Sequence, residues 1–343
     1  MKYISYLLIF FLSITVTLVA QDRSLTKFGV VDKSDLEMKY YDRDSSAAAA
    51  VLYDYADTYF KWSSLDGAYV IVTNYKLRIK VFKKSALSRA THIIPYVHST
   101  FGASEQITDV KGFTYNLVNG EIETTKLEKE AIMEEQVVNN RYAKKIIMPN
   151  VKEGSVFELS YVLETPFTVS DKPHTWYFQE DIPNEWSELN VLVPVNLGYK
   201  IITGGYYKLA VNHSESVIDY KRGDGTSSTQ LKLATKDLPA VIVEPFAPAR
   251  SDYISKAEFE LSTYKGPGGQ TRVFSSTWED VNKFLVENEH FGEQLKSRGY
   301  LSDIAEGFRN EKDSTAIINA AFKYISTSIK CEGLNNSRYT QQD

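Results

Sequence analysis

Between residues 47 and 263 apolar and polar positions alternate with a period of two in one short segment after another. Lys76 to Lys83 shows it most clearly, with Leu77, Ile79 and Val81 on one face and Lys76, Arg78 and Lys80 on the other. That is the pattern of a half-buried antiparallel strand. Its basic face is expected to be solvated and to guard a sheet edge; an anion site is the alternative. Ile107 to Tyr115 and Leu117 to Ile122 read as two strands around Asn119-Gly120, where both positions tolerate positive φ and a two-residue hairpin is favoured. Further strands are expected over Ser155–Leu163, Tyr199–Ile202, Tyr206–Val211, Gln230–Leu233 and Ala257–Ser262. Leu189–Pro194 is another, with Pro194 at a strand end or on an edge. Gly154, Gly204-Gly205 and Gly223-Asp224-Gly225 mark turns or bulges between them. Residues 124–140 are charged and weakly periodic, and their structure stays open.

Composition shifts near Pro239, with Pro245 and Pro248 following, and after Gly266-Pro267-Gly268-Gly269 the period changes to 3.6. Thr277-Trp278-Glu279-Asp280 predicts a helix start of the capping-box kind, with Val281, Phe284 and Leu285 on its apolar face. A second helix is expected from Asp313-Ser314, carrying Ile318, Phe322, Ile325 and Ile329 as a stripe that asks for a partner. Residues 335–343 are polar and predict no further element. The expected fold class is therefore mainly β, an antiparallel β-sandwich followed by a small α-helical segment.

The N-terminus bears on compartment. Met1-Lys2 precedes an almost wholly apolar run from Ile4 to Val19, and Ala20 is followed by polar Gln21-Asp22-Arg23. This has the form of a secretory signal peptide over 1–20; an uncleaved anchor is the alternative. An exported protein is expected, periplasmic or secreted to the outer surface, with no membrane span after cleavage. Residues 21–46 read as a linker or adhering arm, with a short helical turn at Ser34–Glu37 capped by Ser34.

With 343 residues, 43% of them hydrophobic, the chain can bury a substantial core. Its 23 tyrosines and 17 phenylalanines favour strands. A formal net charge of −5 with scattered basic residues argues against nucleic-acid binding. Cys331 is the single cysteine, so no intrachain disulfide can form.

Candidate chemistry is sparse. The histidines, His92, His98, His174, His213 and His290, form no metal-ligand spacing, and no metal or cofactor is implied. Gly-x-Ser-x-Gly is absent. The neighbouring carboxylates Glu180-Asp181 and Glu134-Glu135 point to opposite faces in a strand and read as solvated charge. Cys331 is expected at the end of the last helix, where the dipole disfavours a thiolate, so it reads as structural and no catalytic residue is assigned. Within Pro149–Trp186, which holds two of the four tryptophans, Trp176, Tyr177 and Trp186 are the candidate binding residues. They would form an aromatic platform for a glycan or peptide; the alternative is that they fill the core or a seam.

The chain resembles the β-sandwich domain of unknown function that precedes a transglutaminase-like domain in exported proteins of Gram-negative bacteria. The matching residues are Arg78–Ser85 with Ile94-Pro95-Tyr96, and Thr114–Leu117 with Asn119-Gly120. They continue through Pro149–Val156, Trp176–Gln179 with Asp181-Ile182-Pro183, Leu238-Pro239-Ala240, Glu244-Pro245 and Ser276–Asp280. The resemblance implies a sandwich over 47–263 and, over 270–343, the first helices of a transglutaminase-like, papain-related α+β domain cut short. In that superfamily a cysteine at a helix start precedes a histidine and an aspartate, and no histidine follows Cys331 here. The function this implies is a non-catalytic exported module presenting a surface to a protein or peptidoglycan partner and to its missing C-terminal region. The alternatives are part of a cysteine peptidase or acyl transferase with its catalytic residues beyond Asp343, and a carbohydrate-binding sandwich.

Overall fold

A computed structural model of the chain describes residues 27–63, 67–98, 104–167, 172–221, 227–242, 244–247, 249–266, 268–274, 277–288, 291–296, 301–308, 313–331 and 339–341. The apolar run at 4–19 and the Gly223-Asp224-Gly225 turn lie outside them. No helix among the described residues is long and apolar enough to cross a membrane.

The chain runs through α1 (Lys33–Glu37), β1 (Ala49–Ser63), β2 (Ala68–Val81), β3 (Thr91–Val97), β4 (Gln106–Val118) and β5 (Glu121–Lys126). It continues with β6 (Ile132–Val138), β7 (Arg141–Ile147), β8 (Val156–Pro166), β9 (Trp176–Tyr177), β10 (Asn184–Pro194) and β11 (Leu197–Gly204). After β12 (Val211–Ile218), β13 (Ser227–Leu238), α2 (Arg250–Tyr253), β14 (Lys256–Lys265) and β15 (Thr271–Val273) come the helices. These are α3 (Trp278–Glu287), α4 (Leu301–Glu306) and α5 (Ser314–Ser328), followed by β16 (Ile329–Cys331) and β17 (Tyr339–Gln341).

Eight strands form the main sheet in the order β12-β13-β10-β1-β2-β8-β4-β5. Every neighbour in it is antiparallel except β1 and β10, which run parallel at its centre, so the sheet is mixed. Asn119 and Gly120, both at positive φ (52° and 85°), make the expected two-residue hairpin between β4 and β5. Two smaller sheets share one face of the main sheet. The sheet β3-β7-β6 packs over its β8 and β4 side, burying Ile94, Tyr96 and Ile146 against Ile79, Phe157 and Leu159. The sheet of β11, β14, β15 and β9 packs over β10 and β13, burying Trp176, Ala257 and Phe259 with Leu189, Val191 and Leu233. Alternation along β1 carries both cores, helped by a bulge between Val51 and Tyr53. The bulge shifts the inward positions from Ala49 and Val51 to Ala56 and Phe60.

Several expectations are corrected. Gly154 does make a turn (φ 89°), but β7 before it and β8 after it belong to different sheets. Pro194 takes the first of its two expected places, the end of a strand, since it closes β10 inside the sheet. Residues 206–210 are not strand; the next one begins at Val211. Asp32, not Ser34, occupies the N-cap of α1, and no side chain bonds there. Tyr339–Gln341, expected to lack structure, pairs with β16. The helix starts stand as expected: Thr277 and Asp280 form a capping box on α3, and Asp313 accepts from the backbone of Thr315 and Ala316 on α5.

The largest correction concerns the basic face of β2. Arg78 and Lys80 are buried, at 1% and 0% exposure, on the outer face of a central strand. Residues 27–46 lie over that face as an adhering arm, burying Val31 and Leu36 against Leu52, Tyr115 and Val156. Arg78 meets Glu158 (Nη2···Oε2 2.7 Å) and Asp35 (Nη1···Oδ2 3.7 Å) and donates to the Val30 carbonyl at 2.6 Å. Glu158 also accepts from the Tyr115 hydroxyl and from the Gly29 amide, both at 2.5 Å. Lys80 donates to the carbonyls of Leu36 (2.7 Å) and Gly154 (2.8 Å). Burial, with some help from Lys39, pushes its ammonium down to about 8.

Truncating one partner of a buried pair strands the other charge, at a cost of about 3–5 kcal/mol. Glu158→Ala is expected to lose roughly that much stability in urea denaturation and to open residues 27–46 to limited proteolysis. The double variant Arg78→Met/Glu158→Leu, which strands no guanidinium, should lose markedly less. A double variant as unstable as Glu158→Ala would refute this account of the pair.

Candidate functional site

The strongest candidate for a ligand-facing site lies where β9, the segment after it and α2 meet. A groove of about 240 Å³ opens there between Tyr177, Gln179, Glu180 and Arg250, with Ser251 and Ile254 completing its wall. Its frame is rigid for local reasons. The Gln179 side chain is buried and joins two loops, donating to the Pro239 carbonyl (3.2 Å) and accepting from the Ser255 amide (3.0 Å). The Val241 amide donates to the Glu180 carbonyl at 2.8 Å, and the Asn184 amide group donates to the Phe178 carbonyl at 3.3 Å. These bonds satisfy backbone groups that a buried loop would otherwise leave unpaired.

The groove is electrostatically asymmetric. Burial pushes the Glu180 carboxyl up, and the charge of Asp181 adds to it, against the pull of Arg250 and Arg89. Asp181 pairs with Arg89, whose hydrogen bond holds its carboxyl below the usual range. The sequence suggested solvated charge at both positions. The structure exposes Asp181 but partly buries Glu180.

Behind Glu180, on the inner face of the main sheet, is Asp54. It stands opposite Leu77 on β2 and Ser187 on β10, at the seam where one inner core gives way to the other. Burial, reinforced by Glu180, pushes the Asp54 carboxyl well up. Next to it Tyr75 stacks on Tyr161 at 4.7 Å and lies 6.1 Å from Trp176. Burial and the charge of Asp54 keep the Tyr75 hydroxyl protonated.

Trp176, Tyr177 and Trp186 are not brought together. Trp176 is buried on the inner face and donates its indole N–H to Ser187 Oγ at 3.0 Å. Trp186 precedes Ser187 in β10 and so lies on the opposite, outer face, donating to Glu188 Oε2 at 3.0 Å. Tyr177 alone of the three both faces solvent and lines the groove. Cys331 is on β16, paired with Tyr339, rather than at a helix end. Two histidines approach carboxylates, His174 Nε2 at 3.1 Å from Glu105 and His213 Nε2 at 3.6 Å from Glu215. Nucleophilic catalysis instead needs a hydroxyl or thiol within reach of a base. As built, the groove suits binding through Arg250, Glu180 and the Tyr177 ring.

The crystal structure of a putative protease from Parabacteroides distasonis is similar over 82% of this chain, with a TM-score of 0.55 and 14% identity. The likeness is one of fold. This chain spans half the length of that one. No family model matches the sequence, and no curated protein matches it.

Asp54 and Arg250 were not singled out in the sequence, and Glu180 was read there only as solvated charge. Asp54 is the polar member of an inward row, Asp54, Ala56, Thr58 and Phe60, that becomes visible only once the bulge is placed. Its raised carboxyl fixes the sign of a pH effect. The folded protein keeps the Asp54 proton at pH values where the unfolded chain has lost it, so this contribution to stability falls as pH rises from about 4. Asp54→Asn is expected to be more stable than the parent at pH 7–8 by on the order of 1 kcal/mol, with the difference gone near pH 3. Thermal melts across that range check it; an Asn variant less stable at pH 8 would refute it.

Proposed function

We propose that this chain is the β-rich, non-catalytic module of an exported transglutaminase-like protein, a β-sandwich over 47–263 joined to a helical segment over 270–343. Its role in this reading is to present surfaces to polypeptide partners. The observation that carries it is the uncovered apolar face of the helical segment. Ile318, Phe322 and Ile325 on α5 are 66%, 69% and 54% exposed, and Trp278 and Phe284 on α3 are likewise open. Neither helix buries a residue. A row of this kind on two amphipathic helices is a surface built to be covered by another fold or chain. The fold likeness to a putative protease, half of whose length lies outside the match, supports a module that works beside a further domain. The groove at Tyr177 and Arg250 is then a second contact surface, suited to a polar segment of the partner.

The rival reading is an enzyme: part of a cysteine peptidase or acyl transferase whose catalytic residues lie beyond Asp343, or, within this chain, one with Cys331 as nucleophile. Two measurements separate them. Ile318→Asp/Phe322→Asp should leave the melting transition within about 0.5 kcal/mol of the parent, as for exposed positions, while sharply lowering fluorescence of a dye that binds exposed apolar surface. The parent chain should also fail to hydrolyse casein, and iodoacetamide should label Cys331 no faster than free cysteine. Casein hydrolysis abolished by Cys331→Ala would establish the enzyme instead, and unfolding by the double substitution would show the stripe to be core.

A further inference from the structure

A second cavity, of about 330 Å³, lies on the far side of Ser255 from the groove described above. It is bounded by the end of β11, the crossing from Gly205 to Leu209 and the start of β14. Three features of its wall set it apart from an accidental surface dip.

The first is the approach of two backbones. Gly205 has φ +94°, and a Cβ placed there would lie 2.5 Å from Ser255 Cα and 2.6 Å from its amide nitrogen. Only glycine allows the crossing chain to lie this close to β14. Neighbouring Gly204 is covered by the stem of Lys256, whose Cε would sit 3.2 Å from an added Cβ.

The second is Ser255 itself. It is 2% exposed, and its backbone is fully used: the amide donates to Gln179 Oε1 and the carbonyl accepts from Phe178. Its hydroxyl, by contrast, has no hydrogen-bond partner among the described residues. A buried hydroxyl left without a partner is costly, and a ligand group seated beside it would remove that cost.

The third is the character of the lining. Among the described residues it contains two lysines, Lys208 and Lys256, with Thr203, Asn212 and Tyr207 as further donors, and no carboxylate. Lys256 is bonded to Glu258 at 3.0 Å, which leaves the exposed Lys208 as the cation for an incoming charge. Leu209, half-buried, gives the cavity an apolar side. Donors and a cation on one side with hydrocarbon on the other match an amphiphilic anion. The volume exceeds what a free inorganic oxyanion needs and falls at the small end of organic-ligand sites.

We propose that this cavity binds the C-terminal carboxylate and last side chain of a peptide. The carboxylate meets Lys208 and the Ser255 hydroxyl, and the side chain lies along Leu209. The site is separate from the helical face on which the functional proposal rests, so either can fail without the other.

The test is a titration of the ¹⁵N-labelled chain with the tetrapeptide Gly-Gly-Ala-Leu as free acid, as C-terminal amide, and with inorganic phosphate, read by NMR. The free acid should give saturable shifts at Gly204, Gly205, Lys208 and Ser255, and the amide should bind at least 10-fold more weakly. Lys208→Glu, a surface change that leaves the fold intact, should weaken the free acid about 5–10-fold, and Ser255→Ala about 3-fold or more. The proposal is overturned if the free acid gives no saturable shifts, if the amide binds equally well, or if Lys208→Glu has no effect. Phosphate shifting the same residues at lower concentration than the peptide would overturn it too, assigning an inorganic anion site.

Discussion

A guanidinium with almost no contact with water, set in the middle of an eight-stranded sheet, constrains everything around it. Arg78 can occupy that place only if its charge is matched, and Glu158 on the adjacent strand matches it in register. The pair still has donors and acceptors to satisfy, and the arm preceding β1 supplies the remainder through the Val30 carbonyl, the Gly29 amide and Asp35. Lys80 repeats the arrangement with the Leu36 carbonyl. Around Arg78 and Lys80 the outer face of the sheet is thus polar in composition and yet dry, because backbone from residues 27–46 takes the place of solvent. The inner face could then be given wholly to packing against the two smaller sheets.

Those two sheets sit side by side on one large sheet, so their meeting line is a place where packing must change over. Asp54, Tyr75, Tyr161 and Trp176 fill that line, and Glu180 and Arg250 mark its solvent end. Burial on this line pushes the Asp54 carboxyl up, beside the stacked rings of Tyr75 and Tyr161. The groove and the second cavity flank Ser255 and Gln179. They lie where the smaller sheet ends and loops must finish the layer.

Much of the β body was legible in the alternation of residues. Lys76–Val81, Ser155–Leu163 and Gln230–Leu233 announce themselves by period, and Asn119-Gly120 by the backbone angles only such a pair takes easily. The helix starts at Thr277 and Asp313 were legible because capping is local chemistry. What could not be read depends on distant partners. Whether Arg78 faces water is decided by residues 27–46, far away in sequence. Trp176 and Trp186 look like neighbours in the chain, but one sheet separates them once Ser187 turns inward. Asp54 is hidden by one extra residue in β1, which reverses the parity of every position after it. The groove's lining comes from segments some seventy positions apart, and no local pattern links Glu180 to Arg250.

The parallel pairing of β1 with β10 has a consequence for the order in which the molecule can form. β1 pairs with β2 through a short connection, and β2, β8, β4 and β5 follow with antiparallel partners. The other half of the sheet begins at β10, and Val51 cannot find Asn184 until the whole intervening stretch has been made. Closing so long a loop is entropically late and slow. Until it happens, β1 exposes an unpaired edge along residues that end up among the most deeply buried in the protein. The same strand that joins the two cores in the finished structure is the one most exposed to mispairing while the chain is incomplete.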